Sequence, residues 1–483
     1  MKLKKISVFL VDINRRWIMT LSLVSLFLWW PASTTLANTH LMTKGGQFVD
    51  AQGAVVVLRG VNVAGNSKVP PFLTINNGAE LDPLKHWGFN VIRLLFIWEA
   101  FEPERGHYNL DYLEGYAKIV EWAHERQIYT IIDIHQDAFS RYQQNGCGDG
   151  FPRWAVPPSI TADTPDNGKN CKNWGVNMLL DMDMHNSWHH FYRNTYGVRD
   201  RYLQMLSKLA AHFTNHPGVI GYDLLNEPMG WERTEILPLY EDAEAAVRAK
   251  DASAIIFLCP HALVSSGINS LLEKPKFGNV VYAPHYYSAS VMSIGTWLGF
   301  STDSVFKRMA SKAREWNAPL LIGEFGAPAR TRRVESYMDA LYSSLDQHLA
   351  SGTQWNYTPG WNEHDYDGWN GEDLSIVDDR GQPRANFVPR AYPQRITGSD
   401  ISFVATVSRN NQQAAEVTLS WDHQVGIGET KLFVPRSELF GQHAIAVETT
   451  GEQLACSFDT EERYVTCTSD VPGKKSLHIH VVP

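Results

Sequence analysis

Val219-Ile220-Gly221-Tyr222-Asp223-Leu224-Leu225-Asn226-Glu227-Pro228 decides the fold. Its first seven residues read as a largely apolar, buried strand that runs straight into a polar tripeptide. Seven more runs of the same character flank it: VVVLRGVNV (55–63), NVIRLLF (90–96), YTIIDIH (129–135), AIIFLCP (254–260), NVVYAPHYY (279–287), LLIGEFG (320–326) and TQWNYTPGW (353–361). Amphipathic helical stretches separate several of them, at 112–126, 240–250 and 334–349. In the last, Val334, Tyr337, Met338, Leu341, Leu345 and Leu349 recur at helical spacing. Near-continuous apolar strands alternating with helices predict a parallel sheet covered on both faces. Eight such units predict an α/β fold closed as a (β/α)8 TIM barrel over residues 38–395. No GxGxxG or P-loop follows the first strand, which argues against nucleotide binding.

Two long interruptions break the rhythm, at 139–188 after the third strand and at 288–302 after the sixth. Both follow the C-terminal end of a strand, where barrels carry their active-site loops. Beyond Tyr392-Pro393 the pattern changes. Short alternating runs at 401–407, 414–421, 430–435, 462–468 and 476–482, parted by turn residues, predict a small all-β sandwich over 396–483.

The composition excludes other classes. A hydrophobic fraction of 44% and a charged fraction of 20% are ordinary for a globular protein. The mean hydropathy of −0.27 excludes a multispanning membrane protein. A net charge of −9 argues against a general nucleic-acid binder. Residues 1–37 read as a targeting segment: Lys2, Lys4, Lys5, Arg15 and Arg16 precede an apolar run from Ile18 to Trp30, with small residues before a cut near Ala37/Asn38. The run is short of the ~20 apolar residues of a membrane span, so a cleaved signal and a secreted protein are expected, with a retained anchor as the alternative. Cys147 with Cys171, and Cys456 with Cys467, are placed for two local disulfides in an oxidising compartment, which leaves Cys259 as a buried thiol.

Two glutamates carry the chemistry. Glu227 ends the fourth strand inside Asn226-Glu227-Pro228, and Glu324 ends the seventh inside Gly323-Glu324-Phe325-Gly326. They are 97 residues apart in the chain, yet a barrel points both into one mouth. Glycosidic cleavage needs two such carboxyl groups. One protonates the leaving oxygen and the other attacks or activates water; a separation of about 5–5.5 Å makes the reaction retaining. The acid must keep its proton, through burial or neighbouring negative charge.

With Arg93 on the second strand, His135 after the third, Asn226-Glu227, His285 and Tyr287 after the sixth, Glu324 and Trp355 on the eighth, the chain resembles glycoside hydrolase family 5. Within it, residues 62–72 (NVAGNSKVPPF), Asp133-Ile134-His135-Gln136-Asp137, Gln354-Trp355-Asn356-Tyr357 and Arg390-Ala391-Tyr392-Pro393 are similar to the endoglycoceramidase group, as is the C-terminal β-domain. The resemblance implies roles. Glu227 is the acid/base and Glu324 the nucleophile. Arg93 positions the nucleophile, Asn226 binds the sugar 2-hydroxyl, His285 and Tyr287 bridge the two glutamates, and Trp355 stacks beneath the sugar. Lys68, His135 and Asp137 contact the glucose next to ceramide.

The resemblance thus implies a retaining endo-β-glycosidase that cuts between oligosaccharide and ceramide in glycosphingolipids. Rival readings are a family 5 β-glycosidase acting on glucosylceramide, steryl glucosides or a β-glucan, and an inactive carbohydrate-binding barrel. Intact Glu227, Glu324, Arg93 and Asn226 argue against the last. A lipid substrate calls for an apolar lip, sought in Val291, Met292, Ile294, Trp297, Leu298 and Phe300 and in Phe151, Trp154, Val156 and Ile160, with peripheral contact to a membrane or micelle. Packing of the same side chains onto the barrel is the equal alternative. No cofactor and no metal are expected: His185, His189 and His190 complete no defined site, and the acidic loop 363–373 lacks an EF-hand pattern. That loop reads as part of the active site, with Trp361 and Trp369 as sugar contacts. A monomer is expected.

Overall fold

The computed structural model describes residues 40–166, 171, 174–407 and 415–482. The targeting segment lies outside them. Eight parallel strands form one sheet: β1 (Arg59–Val63), β2 (Val91–Ile97), β3 (Tyr129–His135), β4 (Val219–Asp223), β5 (Ile255–Leu258), β6 (Val280–Tyr282), β7 (Leu321–Phe325) and β8 (Ser351–Tyr357). Their order is β7-β8-β1-β2-β3-β4-β5-β6. The ring closes between β6 and β7 through the bridges Tyr282↔Leu320 and Tyr286↔Phe325, with Gly323 N–H donating to Pro284 O at 3.0 Å. The expected barrel is therefore present.

The helices follow the spacing of their apolar residues. Leu110–Glu125 starts where the Asn109 side chain accepts the Tyr112 N–H, and it buries Tyr112, Leu113, Tyr116, Ile119, Val120 and Ala123 against the sheet. The stretch expected at 334–349 forms Val334–Gln347 and buries Val334, Tyr337, Met338, Leu341 and Leu345.

The barrel interior is layered. At the N-terminal ends of the strands, Leu58, Val91, Ile131, Ile220, Ile255, Phe257, Val281 and Leu321 form an apolar plug, closed from below by Leu41, Phe48 and Val56. Strand side chains alternate faces with period two. The same inward face that carries Val91 and Ile131 therefore carries Arg93 and Asp133 one step toward the mouth. Apolar packing thus ends where the charges begin.

The C-terminal region contains β9 (Tyr392–Ile396), β10 (Gly398–Thr406), β11 (Glu416–His423), β12 (Thr430–Phe433), β13 (Ile445–Thr450), β14 (Ala455–Asp459), β15 (Tyr464–Thr468) and β16 (Gly473–Val481). One sheet has the order β10-β11-β16-β13. The other joins β9, β12, β15 and β14 to the N-terminal strands Met42–Lys44, Gln47–Val49 and Val55–Val56. The expected boundary between 395 and 396 thus falls inside β9, and the second sheet takes strands from both sides of it. The sequence pattern reads 55–63 as one strand. The chain instead gives Val55–Val56 to this sheet and Arg59–Val63 to the barrel. Val417, Leu419, Trp421, Leu432, Phe433, Val465, Leu477 and Ile479 fill the space between the sheets. The sandwich sits on the barrel. Tyr392 OH donates to Gly88 O at 2.6 Å, and Gly88 has φ +79° with the Phe433 ring where a Cβ would lie.

Both disulfides join as expected. Cys456 and Cys467 face each other across β14 and β15. Cys147–Cys171 closes part of the 139–188 insertion. Cys259 is free and buried. No helix among the described residues is long and apolar enough to cross a membrane.

Candidate active site

Arg93 organises the floor of the mouth. Its Nε donates to Asp223 Oδ2 at 2.9 Å. One terminal nitrogen donates to Asn62 Oδ1 and to Glu324 Oε1, both at 3.0 Å. The other donates to Asp133 Oδ1 and Asn226 Oδ1, both at 2.8 Å. Burial disfavours its charge, but Asp133, Asp223 and Glu324 more than offset that and hold the guanidinium firmly cationic.

Glu227 extends from the end of β4 with φ +36°, a conformation rare for a side-chain-bearing residue. Gln136 braces that turn, its amide donating to the backbone oxygens of Asn226 (2.8 Å) and Glu227 (3.1 Å). Burial, with Asp137 adding to it, raises the Glu227 carboxyl to about 8, against the pull of His135, Arg93 and Lys68. Glu227 therefore keeps a proton at neutral pH while Glu324 faces a guanidinium.

His285 lies between them. Its Nδ1 is 2.9 Å from Glu227 Oε1 and 3.5 Å from Glu324 Oε2. Burial lowers its pKa to about 4, so the ring is neutral. Its other nitrogen faces Cys259 Sγ at 3.7 Å. Tyr287 OH donates to Glu324 Oε2 at 2.9 Å. His285 thus spans both glutamates, whereas the Tyr287 hydroxyl bonds on the Glu324 side. One oxygen of Glu227, one of Glu324 and a His285 nitrogen all lie within 4.8 Å of one another. An approach of their nearest oxygens to within 4.8 Å fits the about 5–5.5 Å separation of an acid and nucleophile pair better than the about 6.5–9.5 Å of an inverting pair.

A second cluster lines one wall. Lys68 Nζ donates to Asp137 Oδ2 at 2.5 Å and lies 3.9 Å from Glu372 Oε2. The ammonium sits 3.8 Å above the Trp369 ring and 4.6 Å above the Trp355 ring. His135 stacks parallel to Trp355, with centroids 5.5 Å apart. Its Nδ1 bonds Asp133 at 2.7 Å and its Nε2 is 3.4 Å from Asp137. Burial opposes charge on His135, but Asp133 and Asp137 raise it to about 10. Asp137 is in turn held well below the carboxylate range, because Lys68 and His135 outweigh its burial. Asn226 accepts from Arg93 and spends one amide hydrogen on Gln136 O at 3.1 Å, which leaves one hydrogen for a ligand.

All ten residues singled out from the sequence meet in this mouth. Sequence reading misses several neighbours. Asp133 and Asp223 anchor Arg93, Asn62 accepts from it, and Gln136 holds the Glu227 turn. A charged residue inside an otherwise apolar strand run is the available signal for the two aspartates. For Glu372 the sequence gives only its loop, 363–373, and not which of that loop's acidic residues reaches the mouth, because that depends on how the loop after β8 folds back. Burial, with Asp137 and Asp367 adding to it, raises its carboxyl to about 8 despite Lys68. In the same loop Asp367 accepts from Asn356, Leu374 and Ser375. Asp373 binds the Trp361 indole at 2.9 Å and also binds Arg330 and Arg384. Trp361 is therefore tied into the loop, while Trp369 packs under Lys68.

The expected apolar lip divides. After β6, Met292, Ile294, Leu298 and Phe300 are 48, 63, 53 and 66% exposed. Val291 is buried and Trp297 packs on Tyr337. The residues expected from the insertion turn inward. Phe151 stacks on Phe139 with centroids 4.1 Å apart and is ringed by Trp98, Trp188, Phe191 and Tyr202. Val156 is buried, Ile160 is half-buried, and the Trp154 indole donates to Glu102 O. Exposed apolar side chains on this side of the barrel come instead from Leu180, Met182 and Trp231, which are 74, 69 and 76% exposed.

A (β/α)8 barrel with two close carboxyl groups at the ends of β4 and β7, one protonated and one paired with arginine, defines a retaining glycosidase site. The family model for cellulase, glycosyl hydrolase family 5, matches residues 49–360, and the chain belongs to that family of glycoside hydrolases. Among its relatives, endoglycoceramidase I of Rhodococcus hoagii is 24% identical over 92% of this chain and 88% of its own. The endoglycoceramidase of Cyanea nozakii is 26% identical, covering 74% of this chain and 77% of its own. Among solved structures, endo-glycoceramidase II from Rhodococcus sp. in complex with ganglioside GM3 is similar with a TM-score of 0.75 at 20% identity, over 91% of this chain and all of that one.

Proposed function

We propose that this glycoside hydrolase is an endoglycoceramidase, which hydrolyses the β-glycosidic bond between oligosaccharide and ceramide with retention of configuration. The observation that carries the retaining mechanism is the approach of Glu227 and Glu324 oxygens to within 4.8 Å. The lipid aglycone draws support from the two endoglycoceramidases that match most of this chain and from the exposed apolar side chains after β6.

Glu324 attacks the anomeric carbon while Glu227 gives its proton to the departing ceramide oxygen. The covalent glycosyl-enzyme removes the negative charge on Glu324. Glu227, now ionised, takes a proton from water, and the hydroxide oxygen displaces Glu324 and restores both groups. Arg93 and Tyr287 fix the nucleophile, and neutral His285 holds the two carboxyls at their separation. Trp355 with His135 forms a flat floor for the sugar, and Lys68, Asp137 and Asn226 bind its hydroxyls. The exposed apolar loop after β6 rests on the membrane or micelle that presents the lipid. Residues 1–37 direct the chain out of the cell, and the protein acts as a monomer.

Thin-layer chromatography of ganglioside and lactosylceramide digests, with wild type and Glu324→Gln, tests this reading. Intact oligosaccharide and free ceramide are expected from wild type and neither from the variant. Turnover of cellulosic or aryl glucosides without any release of ceramide would overturn the lipid assignment and keep the catalytic pair.

A further inference from the structure

We propose that the outer face of the β10-β11-β16-β13 sheet carries a Zn2+ site built from His478 and His480 on β16, Glu448 on β13 and Glu416 on β11. The alternation of β16 creates it: Leu477 and Ile479 enter the sandwich core, so His478 and His480 both emerge on the opposite face. Register supplies the rest. His478 lies directly across from Glu448, and His480 directly across from Glu416. The diagonals are also short, with His478 Nε2 3.5 Å from Glu416 Oε2 and His480 Nε2 3.8 Å from Glu448 Oε1.

The rings stand nearly parallel, 4.6 Å apart between centroids, so their nitrogens converge on the same strip of surface. One ligand atom each from Glu448, His478 and His480 lies within 4.8 Å of the others. Tetrahedral Zn2+ with bonds of about 2.0–2.1 Å sets its ligands about 3.4 Å apart, a contraction that rotation of the exposed Glu448 and the partly exposed His478 and His480 supplies. Glu416 stands outside that group, against His478, and joins the shell by swinging across from β11. Two imidazoles and two carboxylates suit Zn2+, whereas Ca2+ and Mg2+ prefer shells of oxygen. The register neighbours on this face are Thr406, Thr418, Ala446 and Ser476, so no ammonium or guanidinium competes among them. The cluster shares no residue with the active site.

Among the described residues, β13 is an edge strand that pairs only with β16. A cation held by β11, β16 and β13 together ties that edge to the sheet. Because the unfolded chain lacks the site, binding stabilises the fold.

The test is calorimetric titration of EDTA-stripped full-length protein with Zn2+, alongside His478→Gln/His480→Gln and Glu448→Gln. Wild type is expected to bind one equivalent through this face. The double variant should lose at least tenfold in affinity for that equivalent and Glu448→Gln less, with hydrolysis of a soluble glycoside unchanged. Zn2+ should raise the thermal midpoint of wild type and not of the double variant. No uptake by wild type would overturn the proposal. Equal affinity in wild type and both variants would also overturn it, and would assign the metal to the Glu227, His285, Glu324 or the His135, Asp137, Asp149 groups instead.

Discussion

Replacing Arg93 with lysine strikes the centre of the active-site frame. The guanidinium makes five hydrogen bonds, to Asp223, Asn62, Glu324, Asp133 and Asn226. An ammonium has only three donors, so at least two buried acceptors lose their partner. Asp133, Asp223 and Asn62 take the three protons of the new cation, and Glu324 and Asn226 are left. A hydrogen bond to a charged group is worth about 1.5–3 kcal/mol, so stability falls by up to about 3–6 kcal/mol. Loss of the Glu324 contact alone, felt in the placement of the nucleophile, lowers kcat/KM by about 10- to 150-fold at ~1.36 kcal/mol per decade. The assay is hydrolysis of a soluble aryl β-lactoside, which reports chemistry without lipid presentation, paired with a thermal melt. Activity within about threefold of wild type, well short of that range, at an unchanged melting temperature, would refute the assignment of Arg93 as the anchor of the nucleophile.

The pH profile tests the acid. Because Glu227 keeps its proton up to about 8, kcat/KM on the soluble substrate should fall on the alkaline side near that pH. Asp137 helps to raise it, so Asp137→Asn should move that limb to lower pH, and an unmoved limb would rule out the Asp137 charge as a cause of the shift. The sign for stability follows: a carboxyl raised from 4.5 to about 8 on folding favours the folded state most at low pH and loses that contribution as pH climbs through 8. The apolar loop is tested by Ile294→Ser/Leu298→Ser/Phe300→Ser, which should cut ceramide release from vesicles at least tenfold while leaving aryl β-lactoside hydrolysis unchanged; equal loss on both substrates would remove the loop from lipid contact.

Much of the site is legible in the sequence because strand ends are local facts. A buried strand followed by Asn226-Glu227 or by Glu324-Phe325 announces a carboxyl at the rim of a barrel whichever way the remainder packs. The eight barrel runs, five of the sandwich strands and both disulfide pairs are readable for the same reason: periodicity and short cysteine spacing live within a few residues of chain, whereas β9 and β13 carry no run that the pattern picks out. The insertion after β3 shows the limit. Phe151, Val156 and Ile160 are candidates for a lipid-facing lip on sequence alone, yet Phe151 and Val156 are buried and Ile160 half-buried. A loop side chain points toward whatever lies across from it, and for Phe151 that is Phe139, Trp188, Phe191 and Tyr202 from distant segments.

The sequence by itself determined which strand-end residues stand at the mouth: the polar residues at the ends of the apolar runs of β2, β3, β4 and β7 admit few other arrangements. Tertiary structure alone decided what those residues are. The stagger of the closed barrel brings the Glu227 and Glu324 oxygens within 4.8 Å, wraps five acceptors around Arg93 and buries Glu227 enough to keep its proton. It also sends residues 42–56 into a sheet with β9, where Val55 pairs with Ile396 and Val56 with Arg395 across most of the length of the chain. Such distances and charge states are properties of packing, set by what closes around a side chain, and no stretch of neighbouring residues encodes them.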